Sequence, residues 1–468
     1  MSRSFRTRRA MLYLGSIAAL LLLITGFYAY WMPTQAHASG VVTLYVGSFI
    51  GTNSGCTSPG FTSVQTAVDV ANPGDIVYLC GTTPYTEQVI ITKQITLTGD
   101  SGATLAAPNP FPAPNYSRLP PQFTTDNLFV PQTVVFVWGS SANVKIKNLI
   151  ISGVMPGNGG CAEDEFGVLA IDGAKVTLNG DQVLNIHDIN SGLYGCQFGV
   201  GIQIGRQYWP TSDFSSYVVE DFTATATITH TIVSGYQKNG ITVDGPGTNA
   251  TLTSNTVSGA GQNDTFFSPI IAQNGIQIGR GATGSALSNT VSGNAYTGPG
   301  GASSGGILVF GGPCGDAPTT PLTTKIQVGN NILQNNDVGI YLSNLIVDQH
   351  NFCALPATPT KDKAFGNHIT NSAATNVSGY NLFGEPGGYQ AGISEEGYSD
   401  KMTTNQICGV GYTPVPNPPP YLSNIDVAGT NPILSGNTIC NSSQTAGVST
   451  MNSVPMGLNL RPVTTAFK

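Results

Sequence analysis

The sequence predicts an all-β solenoid of stacked parallel coils, and three observations predict it. A four-residue phrase of Gly, aliphatic, variable, aliphatic occurs at Gly167–Ala170, Gly201–Ile204, Gly240–Val243, Gly275–Ile278, Gly306–Val309 and Gly339–Leu342. Subtracting successive first positions gives steps of 34, 39, 35, 31 and 33 residues, a near-constant period that marks a repeat architecture. Within each phrase apolar residues alternate, which signals a strand rather than a helix. A second phrase follows several copies: Ala250–Gly259 and Ala286–Gly293, with variants at Lys145–Gly153 and Ala226–Gly235. In it two short strands flank Asn148, Asn255 or Asn289, or His230 in one copy. Asn suits a sharp bend because it tolerates left-handed backbone angles. One repeat therefore reads as strand, corner, strand, bend, strand, loop. It cannot bury its apolar side alone, but a stack of such coils buries a continuous core.

Taken in order, residues 1–38 read as a signal peptide or N-terminal membrane anchor. Arg3, Arg6, Arg8 and Arg9 precede an apolar run from Ala10 to Met32, and Ala36-His37-Ala38 offers a cleavage site. Either outcome exports the body of the chain, so a membrane contact is expected only through an uncleaved segment. Residues 39–130 read as an N-terminal cap and first coils. Val64, Ala67, Val68 and Ala71 follow helical spacing, and this short helix is expected to plug the open end of the stack. Short strands follow at Ile76–Leu79, Val89–Thr92 and Ile95–Thr98, then a Pro-rich loop on the outside from Pro108 to Pro131. Residues 131–345 carry the core repeats. Residues 346–468 read as late coils, loops and a C-terminal cover.

Composition narrows the function. Only 9% of residues are charged, 58 are glycine and the net charge is −7. That suits tight corners and uncharged strand faces, and it argues against a nucleic-acid partner. The chain is expected to be a monomer. Eight cysteines, an even number, fit disulfides in an exported protein. The sequential set Cys56–Cys80, Cys161–Cys196, Cys314–Cys353 and Cys408–Cys440 is the expectation, though spacing alone leaves other connectivities open.

Equivalent positions on successive coils form columns about 4.8 Å apart. The position five after each leading Gly holds Asp172, Arg206, Gly245, Arg280, Gly311 and Asn344, and Asp244 precedes it in one copy. Arg206, Asp244 and Arg280 are thus expected on one face. Trp209, Lys238 and Gln277 lie nearby as candidate substrate-binding residues. Guanidinium forks match carboxylates, and a carboxylate such as Asp244 can act as acid or base. The simpler reading is a structural Arg–Asp–Arg ladder, and it carries more weight. Glu163, Asp164 and Glu165 could hold Ca²⁺, which takes oxygen ligands. Calcium-loop spacing is absent, so a solvated acidic loop is favoured. His187-Asp188 are neighbours on a strand and face opposite ways.

Together these phrases resemble the right-handed parallel β-helix superfamily, the pectate-lyase-like fold, over roughly residues 41 to 345. The run from Ser63 through Pro73-Gly74-Asp75, Tyr85-Thr86-Glu87 and Ile95–Gly99 is similar to the N-terminal part of many such proteins. The resemblance implies fold more than activity. The local signatures of polygalacturonate hydrolases, pectin esterases and main-type pectate lyases are absent. Two functions remain open. One is a polysaccharide-interacting protein, as a lyase or hydrolase. The other is a non-catalytic extracellular structural or adhesion protein.

Overall fold

One turn of the chain shows how a coil closes. Glu165–Ile171 runs along one wall, Ala174–Asn179 along a second and Gln182–Asp188 along a third. Asp172 and Gly173 turn the first corner with φ of 57° and 80°, and Gly180 turns the second with φ of 74°. These are left-handed angles, which Gly and Asp tolerate best. In the computed structural model, which describes residues 40–47, 54–156, 161, 164–212, 216–314, 316–377, 388–415 and 420–440, the pattern repeats into three long sheets of 12, 10 and 11 strands. Neighbouring strands in all three pair in parallel, for example Ile202 beside Ile241 and Val257 beside Val291. Parallel crossovers wind right-handed, so the fold is a right-handed parallel β-helix. The targeting segment 1–38 lies outside the described residues.

Stacking is in register. Ile202, Ile241, Ile276, Ile307, Ile340, Ile393 and Ile425 sit one above the next inside the tube. The leading glycines form a second column, and lack of room explains them. A Cβ on Gly240 would lie 2.5 Å from Val257 Cγ1 and 2.6 Å from the Gly275 carbonyl oxygen, and Gly167, Gly201 and Gly275 are similarly confined.

The second corner carries an asparagine ladder. Asn255, Asn289, Asn331, Asn367, Asn405 and Asn437 are linked side chain to side chain, each Nδ2 donating to the next Oδ1 at 2.8–3.1 Å. Each Oδ1 also accepts the backbone N–H of the coil before. This corrects the expected role of Asn255 and Asn289. The left-handed residues are Ser254 and Ser288, one place earlier, alongside Asn148 and His230. Two structural positions had been aligned as one.

The N-terminal end is plugged by the helix Val64–Val70, whose Val64, Ala67 and Val68 are buried. Ser63 caps it, and Glu87 accepts the N–H groups of Val64 and Gln65 at 2.7 and 3.0 Å, as suits the positive end of a helix. The stack continues past residue 345, where Tyr389–Glu395 and Tyr421–Val427 extend the ten-stranded sheet. The disulfides are Cys56–Cys80, Cys161–Cys196, Cys314–Cys353 and Cys408–Cys440.

Several carboxyls are buried in the corners and bore. Burial raises Asp181 and Asp400 to about 6, and Asp337 and Glu395 to about 7. Glu395 takes the inward position that Leu342 fills one coil earlier.

Two outcomes are expected. Asn331→Ala strands the N–H of Asn289 and the carbonyl of Ala286, so denaturant unfolding should show a loss of about 2–6 kcal/mol, at roughly 1–3 kcal/mol per stranded buried group. The same change at the half-buried end member Asn437 should cost less. Carboxyls whose folded pKa is raised stabilise below their unfolded pKa and lose that contribution as pH rises through the folded value. Melting temperature should therefore fall as pH rises from about 4 to about 7 and level off above that, as read by calorimetry.

Candidate functional site

The outer face of the ten-stranded sheet is not uniformly open. Its first coils carry Ile90, Phe136 and Leu169 outward, and these are buried beneath a second apolar cluster. The cover comes from the expected Pro-rich loop, through Leu119, Phe123 and Leu128, and from a hairpin pairing Arg206–Pro210 with Tyr217–Phe222. Trp209 belongs to this cluster. It is 0% exposed and packs edge-on against Phe123 and Phe222, so its expected role as a substrate-binding residue is corrected to a packing role.

The predicted column of charges is closed by ion pairs. Arg280 donates to Asp244 at 2.8 Å and to Asp316 at 2.5 Å, with both carboxylates buried. Its guanidinium also sits between the rings of Tyr208 and Phe310, 5.4 Å from each centroid. Burial alone would lower its pKa, but Asp244 and Asp316 raise it. Arg206 does not join them. It pairs with Asp164 at 3.1 Å and lies over Phe166 and Trp209. The simpler reading of these residues, as structural pairs, is the one the geometry matches.

Asp164 and Glu165 are buried, Glu165 within a strand, which corrects the solvated acidic loop. Burial raises Asp164 despite Arg206. Glu163 lies outside the described residues. Among the described residues no three His, Cys, Asp or Glu side chains are grouped to hold a metal ion. Lys238 donates to the Ala272 carbonyl at 2.7 Å, and burial, then Arg280, lowers it to about 8. Gln277 accepts from Asn239 at 3.2 Å on the floor of the wall. His187 Nδ1 contacts the backbone oxygen of Asp188, not its carboxylate.

A constellation missed in the sequence lies further along the same wall. Gln277, Leu308, Tyr341, Ser394 and Asp426 form one outward column. Ser343 and Glu396 occupy the next position on adjacent coils, where the Glu396 N–H donates to the Leu342 carbonyl. Glu396 accepts from Tyr341 at 3.2 Å and from Ser343 at 2.9 Å. Asp426 accepts from Tyr389 at 2.7 Å, and the Tyr389 oxygen in turn accepts from the Ser394 hydroxyl at 2.9 Å. Burial, together with the charge of Asp426, pushes Glu396 up to about 7, and burial raises Asp426. Among the described residues no lysine or arginine pairs with either carboxyl. Burial and the charge of Asp426 both favour the protonated form of Glu396. Such a pair can supply an acid and a base to one reaction.

The signal for this site was faint. Gly392–Glu395 is a further copy of the leading phrase in which Glu395 replaces the second aliphatic, and Asn424–Val427 replaces the glycine itself.

No protein-family model and no curated protein matches the sequence. Among solved structures the chain is similar to the Dettilon tailspike protein, with TM-score 0.46 and 14% identity over 85% of this chain and 68% of that one. It is similar to a tailspike mutant of E. coli bacteriophage HK620, with TM-score 0.40 and 12% identity over 82% and 63%. It is also similar to the alginate lyase from Paenibacillus sp., with TM-score 0.34 and 13% identity over 85% and 99%. The chain is a right-handed parallel β-helix on the strength of its own strand pairing.

Proposed function

We propose that this protein binds an uncharged polysaccharide on the outer wall of the ten-stranded sheet and hydrolyses it. The observation that carries this reading is the uncompensated carboxyl pair Glu396 and Asp426, set among Tyr341, Tyr389, Ser343 and Ser394. Glu396, raised to about 7, holds the proton and gives it to the glycosidic oxygen as the bond to the sugar carbon breaks. Asp426 takes a proton from the water whose oxygen forms the new bond to that carbon. The half-buried ring of Tyr341, whose hydroxyl donates to Glu396, lies beside the pair.

Charge argues for a neutral rather than an acidic polymer. A uronic acid chain needs cations, but Arg206 and Arg280 are committed to aspartates and Lys238 to a carbonyl. Four disulfides support an oxidising, extracytoplasmic setting.

A panel of neutral and acidic polysaccharides, read by reducing-sugar release and by ultraviolet absorbance of unsaturated ends, tests the reading. Reducing ends should appear from a neutral polymer without unsaturation. Glu396→Gln should lower the rate by about 10²-fold or more, and the wild-type rate should fall above about pH 7 as Glu396 ionises. Unsaturated ends from an acidic polymer, or full activity in Glu396→Gln, would contradict the reading. No cleavage at all would favour a non-catalytic platform. Arg280→Ala leaves two buried aspartates unpaired, so it should cost roughly 3–5 kcal/mol of stability without changing retention on an acidic-polysaccharide column at a temperature where it remains folded.

A further inference from the structure

The corner between the ten- and twelve-stranded sheets holds a second feature, near the N-terminal end. An open cavity of 590 Å³ is lined by Thr92, Trp138, Ser140, Ser141, Asp172 and Thr223, with Gly139 and Gly173 between them. That volume falls in the ordinary range of small-ligand sites, about 300–1,000 Å³.

The lining has a consistent chemistry. Trp138 is half-buried, and its Nε1 donates to the Arg118 carbonyl at 2.6 Å. The indole is thereby fixed by its edge. Four hydroxyls, from Thr92, Ser140, Ser141 and Thr223, can each donate and accept. Asp172 adds an acceptor. It turns the corner with φ of 57°. No lysine or arginine lines the cavity. The nearby Arg118 is paired with Asp69. A phosphate or carboxylate would meet Asp172 with no cation to offset it, whereas a sugar ring presents hydroxyls to the carboxylate and C–H groups to an aromatic face.

We infer that this corner is a binding subsite for an uncharged sugar, with Trp138 as its platform and Asp172 as its hydroxyl acceptor. The inference rests on the glycan reading above and adds to it a contact remote from the carboxyls. Trp138 shares an edge position with Ile171, and Asp244, Gly279, Phe310 and Ser343 hold that position on later coils. Glu396 is the next member, seven strands from Trp138 in the ten-stranded order, or about 34 Å at about 4.8 Å per strand. The subsite would hold a polymer at a distance from the bond being cut.

The chain contains three tryptophans, Trp31, Trp138 and Trp209, and Trp209 is fully buried. Ligand at the corner should therefore perturb Trp138 emission directly. The full chain carrying Glu396→Gln, which keeps ligand intact, is titrated with neutral hexasaccharides of glucan, mannan and arabinan type. Emission and iodide quenching are read beside calorimetric affinity. A hexasaccharide should shift the emission and protect it from iodide. Trp138→Phe in the same background should abolish the shift, and Asp172→Asn should weaken binding about tenfold. Thermal melts confirm that both variants fold, and Asp172→Asn keeps the side-chain shape if the tryptophan change disturbs packing. Binding of unchanged affinity in both variants overturns the subsite while leaving the proposed function standing. Binding at Trp138 without cleavage by wild type removes the hydrolytic reading and keeps the subsite. Absence of binding to any hexasaccharide overturns both.

Discussion

The constraint on which the molecule depends is that each coil lies in register on the one before. Once register is fixed, every position becomes a column, and a column must be able to stack on itself. Isoleucine does so inside the tube, in a run from Ile202 to Ile425. Glycine does so where the neighbouring valine column leaves no room for a Cβ. Asparagine does so at the second corner, because an amide is donor and acceptor at once and can pass a hydrogen bond along a chain of copies. A one-residue slip would break all three columns together. Register is thus enforced by packing and by hydrogen bonds simultaneously.

The same constraint sorts the charges. Where an outward column meets a loop that can bring the opposite charge, the pair closes. Arg280 with Asp244 and Asp316, and Arg206 with Asp164, are of this kind. Where it cannot, carboxyls are left without a cation among the described residues. Glu396 accepts from Tyr341 and Ser343, and Asp426 from Tyr389; burial raises both, and the charge of Asp426 adds to the rise at Glu396. This contrast rests on which loops reach which coil.

Much of the architecture could be read from residue spacing. The Gly167–Leu342 phrases fixed the coil, its inward residues and the register, because period and alternation are local properties. Val64–Ala71 was legible as a capping helix for the same reason. The site was not. Trp209 looked like a surface aromatic, but its exposure depends on Phe123 and Phe222, which come from distant loops. Arg206 and Arg280 were expected on one face with Asp244, yet Arg206 starts a hairpin and pairs with Asp164, and the second partner of Arg280 is Asp316, outside the repeat phrase. Glu396 was invisible because a 53-residue step from Gly339 to Gly392 interrupts the period, and because the copy there carries Glu395 where an aliphatic was required. The proposed site lies where the repeat is least regular, which is where a search for regularity looks last.

The central claim is that stacking forces Glu396 and Asp426 together on the outer wall without a cation. Carboxyl ¹³C chemical shifts of glutamate-labelled protein, followed against pH and assigned by the signal lost in Glu396→Gln, test it most directly. The account predicts that Glu396 titrates near 7 and moves down when Asp426 is replaced by Asn. A Glu396 midpoint in the ordinary glutamate range near 4.3, unmoved by Asp426→Asn, would contradict it.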